Sequence, residues 1–221
     1  MITTAILCTC GIAIGLWLGG WINSFSKRYT TEGIDTYTPV LPVRILAALA
    51  FCLIAAFVKV SIEWVIALPF VAALLTASVC DWRHMIIPDK IIIPGIFLVA
   101  CLRIFISPLP YWDYALAAFL GGMIFFCFKL IGRLLVKEDV VGDGDIKLLL
   151  LTGFVLGLKL TLLSFLVFCF VGTLIGIYQI VKNRKYNETI LPFGPVISGA
   201  TYISYIWGSD FIRGAYTHLL Y

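Results

Sequence analysis

Two polar segments interrupt an otherwise apolar chain, and each contains aspartates suited to acid–base chemistry. The first is CDWRHMIIPD at residues 80–89, and the second is VGDGDIKL at residues 141–148. The chain has only 12 acidic residues. Because a carboxylate in apolar surroundings is costly unless it is paired or hydrated, Asp81 and Asp145 are candidates for function.

In the first segment, Asp81 closes an apolar stretch, whereas Pro88 and Asp89 open the next one. Proline suits a first helical turn, and an acidic residue there is favoured by the helix dipole. Asp89 therefore fits a structural role. A structural role fits Asp81 less well, because the helix dipole disfavours negative charge at the C-terminal end of a helix, although Arg83 could compensate the charge of Asp81.

In the second segment, Gly142 and Gly144 allow a sharp turn and a close approach of the backbone to other groups. Asp145 begins an apolar run, so a helix cap is the simplest structural interpretation. Asp143 could equally be the cap or a loop ligand. The spacing resembles calcium loops but lacks their downstream glutamate, which argues against Mg²⁺ or Ca²⁺.

Two carboxyl groups facing each other can hydrolyse a peptide bond without a nucleophilic side chain. One group stays protonated, because two adjacent carboxylates do not ionise easily together. The ionised group then accepts a proton from water and the protonated group donates one. Serine or cysteine catalysis would need His84 or His218, the two histidines of the chain, which are predicted on opposite sides of the membrane.

The composition identifies the protein as a polytopic membrane protein. Of the 221 residues, 62% are hydrophobic and 13% charged, with a mean hydropathy of +1.05. Soluble domains have about 45–50% apolar and about 25% charged residues. With about 20 residues per span, we predict an all-α membrane bundle of about eight helices. We expect a single transmembrane domain over residues 1–221.

Eight apolar segments are visible, and Pro94 is expected to kink the fourth. They lie at roughly 4–23, 45–61, 64–80, 91–107, 112–132, 146–158, 160–181 and 191–208.

The distribution of basic residues predicts that both termini lie outside the cell and that both aspartates lie at the cytoplasmic face. Basic residues concentrate in cytoplasmic loops. With the N-terminus outside, the inner connections carry Lys27, Arg28, Arg44, Arg83, Lys90, Arg133, Lys137, Lys147, Lys182, Arg184 and Lys185. The outer ones carry Lys59, Lys159 and Arg213, while Arg103 and Lys129 fall inside segments.

These residues resemble the prepilin peptidase (type IV leader peptidase) family of GxGD intramembrane aspartyl proteases. The stretch GDGDIKLL at 142–149 is similar to the family's GxGDxKL motif, and Asp81 with IPD at 87–89 is similar to its other aspartate segment. The spacing of the family's N-terminal motif is matched by Gly15, Gly19, Asn23 and Arg28. The family's late motif is matched by PFGP at 192–195.

The resemblance implies that Asp81 and Asp145 are the catalytic residues, with Pro88, Gly142, Gly144 and Lys147 as supporting motif residues. Asp143 occupies the motif's variable position. Gly15 and Gly19 would permit close helix packing. In the family's pattern a serine stands where this chain has Gly20.

The loop at 24–44 lacks the two CxxC pairs that longer members of the family carry there. The seven cysteines form no CxxC pair anywhere, so we expect no zinc and no other cofactor. The short loop also argues against N-methylation with S-adenosylmethionine, but leaves it open.

The implied partners are prepilin or pseudopilin precursors with a basic leader before an apolar helix, cleaved at the cytoplasmic membrane face. Members without the insert suggest a competence or pilus assembly system. No nucleic-acid partner is expected, because the basic residues form no dense patch. Two alternatives are a proton-coupled transporter and a non-catalytic scaffold of a secretion assembly.

Overall fold

A computed structural model describes residues 2–29, 40–58, 62–135, 137, 141–183 and 192–219. Residues 30–39 of the loop at 24–44 lie outside these residues. The described chain is helical and contains no strand, which confirms the predicted all-α class. The described residues form eight α-helices, which in chain order are α1 Ile2–Ser26, α2 Val40–Phe57, α3 Trp64–His84, α4 Asp89–Phe105, α5 Tyr111–Leu135, α6 Asp143–Leu156, α7 Leu158–Asn183 and α8 Phe193–Leu219.

Five of the described helices, α1, α2, α3, α5 and α7, are long and apolar enough to cross a membrane. The eight helices of the described residues match the predicted number of spans, but α4 and α6 have only 17 and 14 residues. Large apolar side chains such as Phe105, Leu135 and Trp17 are mostly exposed, as is expected of surfaces that face lipid. The protein is therefore a multi-pass membrane protein.

The chain divides into two compact units, Met1–Ile106 (unit 1) and Ser107–Tyr221 (unit 2). The prediction of one domain over 1–221 stays a prediction. Unit 1 contains α1 to α4, and unit 2 contains α5 to α8.

In unit 1, small residues let α1 and α2 approach closely. A Cβ atom added to Gly15 would lie 2.5 Å from the Cα of Ala48, and one added to Gly19 would lie 2.7 Å from the Cα of Arg44. These distances leave no room for a side chain. The close packing expected at Gly15 and Gly19 is confirmed.

A buried ion pair joins the start of α3 to the end of α4. Arg103 Nη1 contacts the carboxylate of Glu63 at 2.9 Å and donates to the Ile106 carbonyl at 3.1 Å. Arg103 is only 2% exposed. The guanidinium that the sequence places inside an apolar segment is therefore neutralised within unit 1.

In unit 2, α6 packs against α5 at very short range. A Cβ atom added to Gly153 of α6 would lie 2.3 Å from the backbone nitrogen and Cα of Ala118. Buried hydroxyls link three helices, because the Thr201 hydroxyl of α8 bonds those of Thr152 on α6 and Ser164 on α7. These contacts fix α6, which carries the GDGD motif at its first turn.

The turn between α6 and α7 explains why the sixth apolar segment, at roughly 146–158, is short for a membrane span. Gly157 has a φ of 74°, a conformation that favours glycine, and it ends α6 at Leu156. The Asp113 carboxylate accepts a hydrogen bond of 2.9 Å from the Leu158 amide at the start of α7. Segments six and seven are thus two helices separated by one residue.

Candidate active site

Asp81 lies in the last turn of α3 and is 7% exposed. Its carbonyl accepts a hydrogen bond of 2.9 Å from the amide of Met85, which adopts the left-handed conformation with a φ of 54° and ends the helix. The sequence prediction that Asp81 closes the third apolar helix is confirmed. A carboxyl group is thereby held, nearly buried, at the end of a membrane helix.

The residues after α3 lead directly into α4. Pro88 is buried and forms the N-cap position of α4, and Asp89 is the first residue of that helix. Asp89 is exposed and lies at the positive end of the helix dipole, so its predicted structural role fits.

Arg83 bonds to α1. Its Nη2 donates a hydrogen bond of 2.7 Å to Oδ1 of Asn23, and Asn23 is 2% exposed. That Arg83 could compensate Asp81 stays a prediction, and the structure gives the guanidinium a hydrogen-bond partner on α1. Asn23, which the sequence singled out without a role, thus ties α1 to the turn that carries Asp81.

Three buried side-chain atoms at this end of unit 1 make no hydrogen bond within the described residues. Arg83 Nη1, His84 Nε2 and Ser26 Oγ are buried and have no hydrogen-bond partner within the described part of the chain. Arg28, predicted from the same N-terminal motif, lies in a short 3-10 helix after α1 and is exposed.

Asp145 is the third residue of α6 and is 7% exposed. Gly142 occupies the N-cap position and Asp143 begins the helix, so Asp145 is not the N-cap. A Cβ atom added to Gly142 would lie only 3.2 Å from Oδ2 of Asp145. The absence of a side chain at 142 therefore leaves the room that the carboxylate occupies.

Asp143 contacts Lys129. Its Oδ1 pairs with the Nζ of Lys129 on α5, a lysine whose side chain is 9% exposed. The Asp143 side chain itself is 72% exposed. Gly144 and Lys147, the other predicted motif residues, lie in the first two turns of α6 and are half-buried.

Each unit thus contributes one buried aspartate at a helix end. Asp81 belongs to unit 1 and Asp145 to unit 2. Their pairing into one catalytic site stays a prediction. In the described residues, no three His, Cys, Asp or Glu side chains come together as metal ligands would.

Beside the GDGD motif, unit 2 has an apolar groove of about 480 Å³ between α5 and α7. Its wall includes the rings of Phe125, Phe165, Phe168 and Phe193, and Val141, the residue before Gly142, also lines it. Phe193 comes from the PFGP segment at the start of α8 and packs on Phe168 with ring centroids 6.0 Å apart. The groove can accommodate hydrocarbon close to the motif.

The sequence profile of the type IV leader peptidase family matches residues 68–177, a stretch that contains both candidate aspartates and Lys129. The chain belongs to the type IV leader peptidase family. No solved structure matches it with significance.

Curated relatives agree with this family. The prepilin leader peptidase/N-methyltransferase of Bacillus subtilis (strain 168) is 32% identical over 153 residues, which are 69% of this chain and 60% of that protein. The protein of the same name from Pseudomonas putida is 29% identical over 68% of this chain and 52% of its own length. That of Aeromonas hydrophila is 28% identical over 93% of this chain and 68% of its own. The chain thus spans only part of the type IV leader peptidases it matches.

Two features of this family member were missed by sequence reasoning. The bond between Arg83 and Asn23 joins residues 60 positions apart, and no local pattern indicates it. The pairing of Lys129 with Asp143 was also missed, although a signal existed. An ionisable residue inside an apolar span is a functional candidate by itself, and Lys129 lies 14 residues before Asp143.

Proposed function

We propose that this chain is an aspartic endopeptidase that removes the leader from prepilin-like precursors at the cytoplasmic face of the cell membrane. The observation that carries the proposal is the burial of Asp81 and Asp145, each at a helix end, inside the region matched by the leader peptidase family. Membrane proteins rarely bury acidic residues without a function.

The proposed reaction uses the two carboxyl groups in opposite protonation states. The ionised one accepts a proton from water while the water oxygen bonds to the carbonyl carbon of the scissile peptide. The protonated one donates its proton to the leaving nitrogen as the C–N bond breaks. No covalent intermediate and no metal enter this scheme.

Prepilin precursors are the proposed substrates because the relatives' names give prepilin leader peptidase activity to proteins that share this region. A leader rich in lysine or arginine would remain on the cytoplasmic side, where we place both aspartates. The apolar helix that follows the leader would lie in the bilayer. The bond to be cut must be unwound, since helical peptide bonds are shielded by their own hydrogen bonds.

The names of the relatives also include N-methyltransferase. Our proposal covers cleavage alone. Measuring the mass of the cleaved product with and without S-adenosylmethionine tests both activities in one experiment, because methylation adds a fixed mass to the new N-terminus.

The decisive experiment incubates the purified chain with a basic-leader prepilin and measures the masses of both products. We expect cleavage by the wild type and none by Asp81→Asn or Asp145→Asn, both of which keep the fold. Asp210→Asn is the matched control, because Asp210 is exposed on α8. Cleavage by either active-site variant at the wild-type rate would refute the proposal.

The same variants separate the rival functions. A proton-coupled transporter would lose flux in the Asn variants without any effect on precursor processing. A scaffold would tolerate both substitutions.

A further inference from the structure

The ion pair between Lys129 and Asp143 joins partners with very different exposure. The Lys129 side chain is 9% exposed, whereas that of Asp143 is 72% exposed. A carboxylate so exposed is well hydrated without a partner. A buried ammonium is costly unless it is paired, so the contact chiefly stabilises the positive charge of Lys129 in its buried position.

This buried ammonium, on α5, contacts Asp143, the first residue of α6, which lies two residues before Asp145 in the same helical turn. The N-cap residue, Gly142, provides no side-chain hydrogen bond to the turn. The helix dipole favours negative charge here, and the ammonium adds to that effect. Because Gly153 packs directly against Ala118 further along the helix, α6 is held near both of its ends.

The other described helices of unit 2 carry more basic than acidic residues. The charged residues of α5 are Asp113 in its first turn and Lys129 and Arg133 towards its end, and those of α6 are Asp143, Asp145 and Lys147. The charged residues of the other two helices in the described part of unit 2 are Lys159 and Lys182 on α7 and Asp210 and Arg213 on α8. The N-terminal end of the helix dipole and the Lys129 ammonium thus both favour negative charge in the first turn of α6.

We propose that Lys129 is a positioning residue. Through its contact with Asp143 it fixes the first turn of α6, and its positive charge favours the ionised form of the Asp145 carboxyl. Asp145 is then the proton acceptor of the reaction. This inference rests on the proposed peptidase function. Asp145 then takes the proton of the attacking water. Asp81 supplies the proton for the leaving nitrogen, consistent with its place in a last helical turn, where the dipole opposes negative charge.

The test is the pH dependence of kcat/KM on a prepilin substrate for the wild type, Lys129→Met, Lys129→Arg and Asp143→Asn. Removing the ammonium makes ionisation of Asp145 harder, so the acid-side midpoint of Lys129→Met should rise by about half to one pH unit. Removing the Asp143 charge acts oppositely, so that midpoint should fall in Asp143→Asn. Lys129→Arg should retain the wild-type profile.

Lys182→Met is the matched control, because Lys182 is an exposed lysine in the last turn of α7 whose ammonium lies 5.8 Å from the ring centre of Tyr178. It should leave the profile unchanged. If the ion pair has only a structural role, Lys129→Met and Asp143→Asn should both lower activity, and the acid-side midpoint of kcat/KM should not shift in opposite directions.

Unchanged midpoints, or shifts in the same direction, in variants of an active enzyme would overturn the assignment. Asp143→Asn keeps the test decisive if Lys129→Met fails to fold, because the altered side chain is exposed and nearly isosteric. If the wild type cleaves no precursor, or if Asp145→Asn still cleaves, the proposed function itself fails and the assignment fails with it.

Discussion

Arg83 Nη2 donates a hydrogen bond of 2.7 Å to Oδ1 of Asn23, and this bond fastens α1 to the turn of α3 that carries Asp81. The second guanidinium nitrogen, Nη1, is buried with no hydrogen-bond partner in the described residues. Asn23 therefore satisfies one of the two terminal nitrogens of a half-buried guanidinium, two residues from a candidate catalytic side chain.

Replacing Asn23 with alanine should lower both stability and activity. Loss of the acceptor leaves a part-buried charged donor unsatisfied, so we expect about 1–3 kcal/mol less unfolding free energy. Denaturant unfolding in detergent measures the change, and precursor cleavage measures the effect on the site. Ser24→Ala is the control, because that exposed hydroxyl bonds only within α1. Equal stability of the two variants would contradict this role of Asn23.

Replacing Gly142 with alanine should reduce cleavage more than stability. The new methyl group would lie 3.2 Å from Oδ2 of Asp145 and displace the carboxylate by a few tenths of an ångström. Small misplacements of reacting groups can reduce rates by about ten- to a hundredfold, and we expect kcat to fall with little change in KM. The control is Gly176→Ala on α7, where a Cβ atom meets nothing within 4 Å. Wild-type kcat in the first variant would show that the carboxylate moves freely.

Replacing Gly153 with alanine should destabilise unit 2. The added Cβ atom would lie 2.3 Å from the backbone of Ala118, and backbone atoms cannot move aside as the end of a side chain can. We expect a loss of about 1–3 kcal/mol or more from overpacking, measured by thermal unfolding in detergent. Gly199→Ala on α8, a position with open space, should be neutral. An unchanged melting temperature for Gly153→Ala would contradict the close packing of α5 on α6.

The cleavage rate should show a bell-shaped dependence on pH. One carboxyl group must be ionised and the other protonated, so the rate falls when both are protonated and again when both are ionised. Single-turnover cleavage across the pH range measures this under conditions where chemistry limits the rate. A flat profile from acid to alkaline conditions would argue against a pair of carboxyl groups.

Zinc chelators should leave cleavage unchanged, since the chain has no CxxC pair and the proposed reaction uses carboxyl groups alone. The assay compares activity before and after chelation and dialysis. Loss of activity that added zinc restores would refute a metal-free reaction.

Hydropathy predicted the helices because each apolar run must be helical to satisfy its backbone inside a bilayer. Their ends were predicted less well. The first and eighth helices extend to Ser26 and Leu219, beyond the predicted limits of 23 and 208, because helical hydrogen bonding continues where hydropathy falls.

The polar contacts of the site were beyond sequence reasoning. Whether Arg83 reaches Asn23 depends on the rotation of α3 against α1. Whether Lys129 meets Asp143 depends on the register of α5 and α6, which Gly153 and Ala118 set by backbone contact. Composition and periodicity identify which faces are apolar, but not the offset between two packed helices.

The ion pair between Arg103 and Glu63 has a consequence for biosynthesis. A lone guanidinium on α4 would resist transfer from the translocon into hydrocarbon, whereas the neutralised pair does not carry that net charge. The two helices that share this pair, α3 and α4, are joined by a short turn and form a hairpin. The hairpin, rather than the single helix, is then the unit that enters the bilayer, and its carboxylate accompanies the arginine during insertion.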